Sequence, residues 1–112
     1  MDLTNLGQLG RVEEEKEVVK GFKVKLHTLS VEEQEALSGI ATTTEEVLKN
    51  FPAIQIKCLV IATSSINGEA LDKGQLEKTY RSLQYGVLNA VYNFYTEVSE
   101  KQLKVIDELK KN

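Results

Sequence analysis

The sequence predicts an α+β fold that is mostly helical, with four to five helices and an N-terminal β-hairpin. Apolar and polar residues alternate between residues 22 and 27, which is the period of a strand with one buried face. Ser30 and Asp72 each precede a Glu or Gln by three residues, the spacing of a helix capping box. From Leu76 to Leu109 apolar residues recur every three or four positions, as in an amphipathic helix.

Length and composition indicate one globular domain. The chain has 112 residues, of which 41% are hydrophobic and 28% charged, enough to form a single core. Its net charge of -3 disfavours nucleic acid as a partner. Cys58 is the only cysteine and lies in an apolar run, so no internal disulfide is expected.

The two ends of the chain are predicted to differ in character. Residues 1–11 form an N-terminal arm with Leu3, Leu6 and Leu9 at a spacing of three, and residues 12–112 form the domain. The arm is expected either to dock on a neighbouring subunit or to be a frayed terminus. We expect no leader and no membrane span, because no apolar run approaches the roughly 18 residues required. The predicted location is the cytosol, or a particle assembled there.

The β-hairpin is predicted over residues 12–29. The run Glu17-Val18-Val19 favours a strand, and Lys20-Gly21 provides a two-residue connection in which glycine tolerates positive φ. His27 is expected on the polar face of the second strand, beside Lys25, with no residue pairing with it.

Capping signals place the first two helices. Ser30 with Glu33 predicts a helix over about 31–39, which Gly39 would end. Thr43 with Glu46 predicts a second over about 44–65, kinked or restarted at Pro52. Residues 53–62 are compatible with helix or strand, and we favour helix because apolar residues there recur at spacings of three and four.

The sequence Asn67-Gly68 predicts a type I′ turn, because both residues accept a left-handed backbone. Residues 65–66 and 69–71 could pair around it as a tiny ribbon, and the reversal would lay two helices side by side. Asp72 with Gln75 then begins a helix over about 73–85, followed by another over 86–110. A bend or break is expected near Tyr85-Gly86, and Ser99 could cap a final segment.

No reaction centre is predicted. One histidine and one distant cysteine cannot supply the ligands of a zinc site. The acids occupy helix first turns or exposed helical faces, and Ser64 and Ser65 have no nearby base. No glycine-rich phosphate loop is present in the sequence. We therefore expect a protein that is not an enzyme and has no catalytic, cofactor-binding or metal-binding residues.

An aromatic series on the last helices is the strongest remaining signal. At helical spacing such a stripe is usually core, but residues 88–98 carry more apolar circumference than one core contact requires. The surplus should face another protein chain, since aromatic side chains anchor interfaces. The candidate partner-binding residues are Tyr92, Phe94, Tyr95, Val98, Leu103 and Ile106.

The order of these signals resembles the phage tail assembly chaperones and the related baseplate-hub assembly proteins of tailed bacteriophages. The family pattern V-x-G-F/I-x-V-x-L-x-T-L-S followed by x-E-E is similar to residues 19–33 here. Its continuation, an apolar helix running into I-x-S-I-N-G and a helical tail, looks like residues 62–68 and the segment to 109. Pro52 and the leucine-bearing arm depart from the pattern.

The resemblance implies a non-enzymatic protein of tail or baseplate morphogenesis. It would bind other tail proteins, such as the tape measure, the tail tube or the baseplate hub, in the host cytoplasm, or would remain in the virion tail. A homo-oligomer is expected. The alternative from another class is a small cytosolic regulatory adaptor or inhibitor that acts as a dimer through the last helix.

Overall fold

The computed structural model describes residues 3–37 and 51–110, with side chains from Leu6 onward. It confirms an α+β fold with an N-terminal hairpin. The expected capping pair Thr43 and Glu46, and Gly39, lie outside the described residues. In chain order the elements are a 3-10 helix (Leu3–Gln8), β1 (Glu13–Val19), β2 (Phe22–His27), α1 (Val31–Glu35), α2 (Phe51–Ala62), β3 (Thr63–Ile66), α3 (Lys73–Ser82) and α4 (Tyr85–Lys110).

Strand β2 lies at the centre of a three-stranded antiparallel sheet in the order β1-β2-β3. The Lys20-Gly21 connection forms as predicted, with Gly21 at a φ of 85°. Glu15 and Glu17 on β1 stand opposite Lys25 and Lys23 on β2, so opposite charges pair across the hairpin.

His27 ends β2 and is buried, with 8% of its surface exposed. Its Nδ1 lies 2.8 Å from the carbonyl oxygen of Thr28, to which it donates a hydrogen bond. The prediction that nothing pairs with His27 is therefore wrong. The alternation of apolar and polar residues cannot predict a hydrogen bond between a side chain and the backbone of the next residue.

Residues 53–62 are helical, as favoured, but the prediction that this helix continues to residue 65 is wrong. Helix α2 ends at Ala62, and residues 63–66 form β3. Ser65 pairs with Lys25 and Ile66 with Val24 across the second edge of β2. Residues 63–66 form a strand because it pairs with backbone groups of β2 that a continued helix would leave without a hydrogen-bond partner.

The Asn67-Gly68 turn has the predicted left-handed backbone, with φ values of 51° and 82°. The expected ribbon around it is a single bridge between Ile66 and Glu69. The Asn67 side chain accepts a hydrogen bond from the Lys23 amide at 2.8 Å and donates one to the Gly21 carbonyl at 3.3 Å. Asn67 thus ties the β3 turn to the β1–β2 turn.

Both described capping boxes are confirmed, but the prediction that the first helix extends to about residue 39 is wrong, because α1 ends at Glu35 and a turn follows it. The Ser30 hydroxyl accepts from the Glu33 amide at 3.2 Å, and the Asp72 carboxylate accepts from the Gln75 amide at 2.8 Å. Helix α3 ends at Ser82 and packs against α2, so the two helices do lie side by side.

The long helix α4 runs without interruption from Tyr85 to Lys110, so the prediction that Ser99 begins a new segment is wrong. The expected break lies slightly earlier, at residues 83–84, between α3 and α4. Helix α4 continues past Ser99 because it packs on β1, β2 and α2. The core between sheet and helices comprises Val24, Leu26, Ile56, Leu59, Ile66, Leu76, Tyr80, Leu88, Val91, Phe94 and Val98.

A buried hydroxyl pair joins α3 to the start of β3. The Thr63 hydroxyl donates to the Leu59 carbonyl, so the hydrogen bond of 2.6 Å between Thr63 and Tyr80 must have the Tyr80 hydroxyl as donor. Burial raises the pKa of the Tyr80 hydroxyl to about 12.

This raised pKa predicts alkaline destabilisation. An unfolded tyrosine loses its proton near a pH of about 10, whereas Tyr80 in the folded chain holds its proton up to about 12. Between these values the unfolded state binds fewer protons, so the free energy of unfolding falls, by about 1.4 kcal/mol per pH unit for this group. Denaturant titrations at stepped pH should show a shallower fall for Tyr80→Phe, with Tyr85→Phe as the exposed control. Equal slopes in Tyr80→Phe and the native chain would contradict this assignment.

The Asn67 turn predicts a graded mutational effect. Asn67→Gly keeps the left-handed backbone but loses the side-chain hydrogen bonds, whereas Asn67→Ala loses both advantages. We expect Ala to lower the free energy of unfolding by about 2 kcal/mol and Gly by about 1 kcal/mol. Chemical denaturation measures both. An alanine variant as stable as the native chain would show that the turn is not constrained.

Candidate protein-binding surface

The six partner-binding candidates divide into three groups in the structure. Phe94 and Val98 lie in the core, with 3% and 0% of their surface exposed. The Lys16 ammonium lies 5.6 Å from the centre of the Phe94 ring, which therefore faces the sheet. Neither residue offers a surface to a partner, so their assignment to an interface is corrected. Residues 91, 94 and 98 form a stripe on α4 that packs against β1 and β2.

Tyr92 and Tyr95 are partly buried and face α2. Tyr92 packs edge-on to Phe51, with ring centres 5.8 Å apart, and lies 6.0 Å from the Tyr95 ring. Burial raises the pKa of the Tyr95 hydroxyl to about 12, and the neighbouring Cys58 thiol, its hydrogen-bond partner, adds to the shift. Burial also raises the pKa of the Cys58 thiol. These aromatic residues connect α2 to α4. Only part of the surface of each tyrosine side chain remains exposed to solvent.

Ile106 lies where the arm meets α4, and Leu103 lies on the same half of that helix. The Gln102 side chain donates a hydrogen bond to the Gly10 carbonyl at 3.2 Å. A Cβ atom on Gly10 would lie 3.3 Å from Ile106 Cγ1, so glycine at this position, with a φ of 77°, permits the close approach. Ile106 is partly covered in this way, whereas Leu103 is 65% exposed. The arm therefore lies against its own α4, which neither sequence alternative anticipated.

The exposed leucines concentrate on the arm and the C-terminal half of α4. Leu6 and Leu9 on the arm, and Leu103 and Leu109 on α4, are each between 42% and 65% exposed. We refer to these four residues as the leucine surface. Val31, 78% exposed, is close by, because it lines one shallow cavity of about 390 Å³ together with Leu9 and Gln102. Side chains this large are seldom left open in a group on a protein that works alone.

Ion pairs hold α4 in place beneath this surface. Lys101 contacts Glu14 at 2.6 Å, and Lys16 contacts Glu97 at 3.5 Å, both linking α4 to β1. All four side chains are at least one third exposed, so each pair contributes about 1 kcal/mol or less. Their effect is to fix the position of α4 more than to stabilise the fold.

Glu13 begins β1 near the same end of the sheet. The Ser64 hydroxyl donates a hydrogen bond to its carboxylate, and this bond, more than the Arg11 guanidinium 3.3 Å away, lowers the pKa of Glu13. The bond crosses β2, since Glu13 lies on β1 and Ser64 on β3. Glu13 is thereby used in holding the sheet together.

Within residues 3–37 and 51–110, no three His, Cys, Asp or Glu side chains are grouped so that they could hold a metal ion. The same part of the chain has no helix of the length and hydrophobicity needed to span a bilayer. What this end of the chain does present is apolar area bordered by Arg11 and Gln102.

Comparison of the chain with protein-family models, with curated proteins and with solved structures finds no match in any of the three. Sequence reasoning named Leu103 and Ile106 but did not include Leu6, Leu9 or Leu109. The signal for the arm leucines was their regular spacing, from which the sequence predicted either docking on a neighbouring subunit or a frayed terminus.

The division between core and surface predicts opposite mutational outcomes on one helix. Phe94→Ala should lower the free energy of unfolding by about 3–5 kcal/mol, because it leaves a cavity under the sheet. Leu103→Ala should change it by about 0.5 kcal/mol or less, because the side chain is mostly in solvent. Thermal or urea unfolding measures both. A large loss in Leu103→Ala would place that side chain in the core.

Proposed function

We propose that this chain is a non-enzymatic assembly protein of a bacteriophage tail or baseplate, which binds other tail proteins through the leucine surface. The observation that carries the proposal is the exposure of Leu6, Leu9, Leu103 and Leu109 on an arm and helix already fixed by internal contacts. The resemblance of residues 19–33 and 62–68 to tail assembly chaperones supplies the biological setting.

The chemistry of the leucine surface favours a helical partner. Exposed leucines on a helix, with an arm lying alongside that helix, are suited to the apolar face of an amphipathic helix. Full burial of one leucine stabilises a contact by roughly 1.5–3 kcal/mol, whereas association itself costs about 4–15 kcal/mol, so the leucine surface contributes to a complex together with further contacts around it. Tape-measure, tail-tube and baseplate-hub proteins are the partners that the resemblance implies.

The leucine surface is preformed, which reduces the cost of binding. The Gly10 carbonyl accepts from Gln102, and Gly10 packs on Ile106, so the arm is already held on α4. Lys101 and Glu14 hold the same part of α4 on the sheet. A partner therefore has little of this chain to order when it binds.

Co-purification with the tape-measure, tail-tube and hub proteins encoded with this chain tests the proposal. The variant Leu9→Ser/Leu103→Ser should weaken capture at least about tenfold, because it removes two exposed anchors without touching the core. Tyr85→Ser is the matched control, since Tyr85 is 50% exposed at the other end of α4. It should bind as the native chain does.

Two results would overturn the proposal: capture of none of these tail proteins, or unchanged capture by the double variant. Specific binding of one host protein instead would favour a regulatory adaptor. Mass spectrometry of finished particles beside infected-cell lysate then separates two forms of the function. A transient chaperone is present only in the lysate, and a resident component in both.

A further inference from the structure

A second apolar site lies between α2 and α3 and plays no part in the leucine surface. It is a groove of about 580 Å³. Among the residues that the structure describes, its apolar lining comprises Ala36, Ala53, Ile56, Val60 and Ile61, and its charged lining comprises Lys57, Lys73, Glu77 and Arg81. A groove of this size holds a few side chains of an inserted segment.

Among the described residues that line this groove, basic side chains outnumber acidic ones, although the whole chain is acidic. Arg81 and Glu77 neutralise each other in an ion pair of 3.0 Å. Lys57 and Lys73 form no salt bridge with any residue in the described parts of the chain. Two unneutralised lysines beside an apolar floor favour an occupant that carries both an apolar and an acidic side chain.

Helix α1 has these two properties. Val31 at its start is the most exposed of the large apolar side chains that the structure describes, at 78%, and Glu32 next to it is also exposed. The helix buries none of its own residues, although its capping box is complete. A helix this short gains little stability from propensity alone, so contact with another surface would stabilise it.

Helix α1 and the groove are also adjacent. Ala36, which caps the C-terminal end of α1, itself lines the groove. Two complementary surfaces side by side on one chain can meet twice in a dimer with a two-fold axis, each α1 entering the other groove.

We propose that the α2–α3 groove binds α1 of a second copy of this chain, and that the two copies exchange α1 reciprocally in a symmetric dimer. Val31 lies on the apolar floor of the partner groove, and Glu32 lies beside Lys57 and Lys73 at its rim. This inference goes beyond the proposed function and does not depend on it, since it uses no residue of the leucine surface.

A charge exchange tests this dimer in the full chain by sedimentation equilibrium. The native chain should be dimeric. Glu32→Lys should raise the dissociation constant at least about tenfold, and so should Lys57→Glu/Lys73→Glu, because each variant places like charges together. Lys78→Glu/Lys104→Glu carries the same change in net charge outside the groove and should leave the dimer intact.

Mixing gives the sharper result. When the Glu32→Lys chain is combined with the Lys57→Glu/Lys73→Glu chain, both halves of a heterodimer again pair opposite charges. Dimers should therefore reform from two variants that are each monomeric. A native chain that stays monomeric up to about 100 µM overturns the inference. So does a dimer that survives both charge reversals, and its loss in Leu9→Ser/Leu103→Ser would place the contact on the leucine surface.

Discussion

The structure depends on the burial of β2 between two flanking strands and one long helix. Val24 and Leu26 on this strand have no exposed surface, and α4 packs over them through Val91, Phe94 and Val98. Strands β1 and β3 complete the two edges of β2, and α2 packs against both β2 and α4. This requirement decides how much of α4 is available for binding. The half that covers the sheet is used for folding, and only the half beyond Val98 carries open leucines.

Local signals in the sequence were reliable where the chemistry is local. The boxes at Ser30 and Asp72, and the turn at Asn67-Gly68, depend on groups within a few residues and formed as predicted. Strand β3 could not be predicted in the same way. Its residues gain from pairing with β2, almost forty positions earlier in the chain, and hydrophobic periodicity contains no such information.

The candidate site shows the same division between local and distant information. Helical spacing correctly marked the apolar circumference of α4, but it could not say which side the sheet would cover. Phe94 and Leu103 carry similar hydrophobic signals, and only the tertiary structure makes one core and the other surface. The position of the exposed arm leucines depends on Gly10, whose contact with Ile106 joins residues nearly one hundred positions apart. The buried side chain of Gln55 likewise depends on a residue that is distant in the sequence. It is 1% exposed, donates to Asn89 at 2.8 Å, and its Oε1 has no partner among the described residues.

Native-state hydrogen exchange along α4 tests the central claim most directly. If burial of β2 determines the fold, the slowest amides will lie in β2 and in residues 88–98, and they will exchange only through global unfolding. Residues 103–110 will exchange much faster, since they carry open side chains and cover little of the core. Equal protection along the whole of α4, or faster exchange in β2 than in α3, would contradict the account.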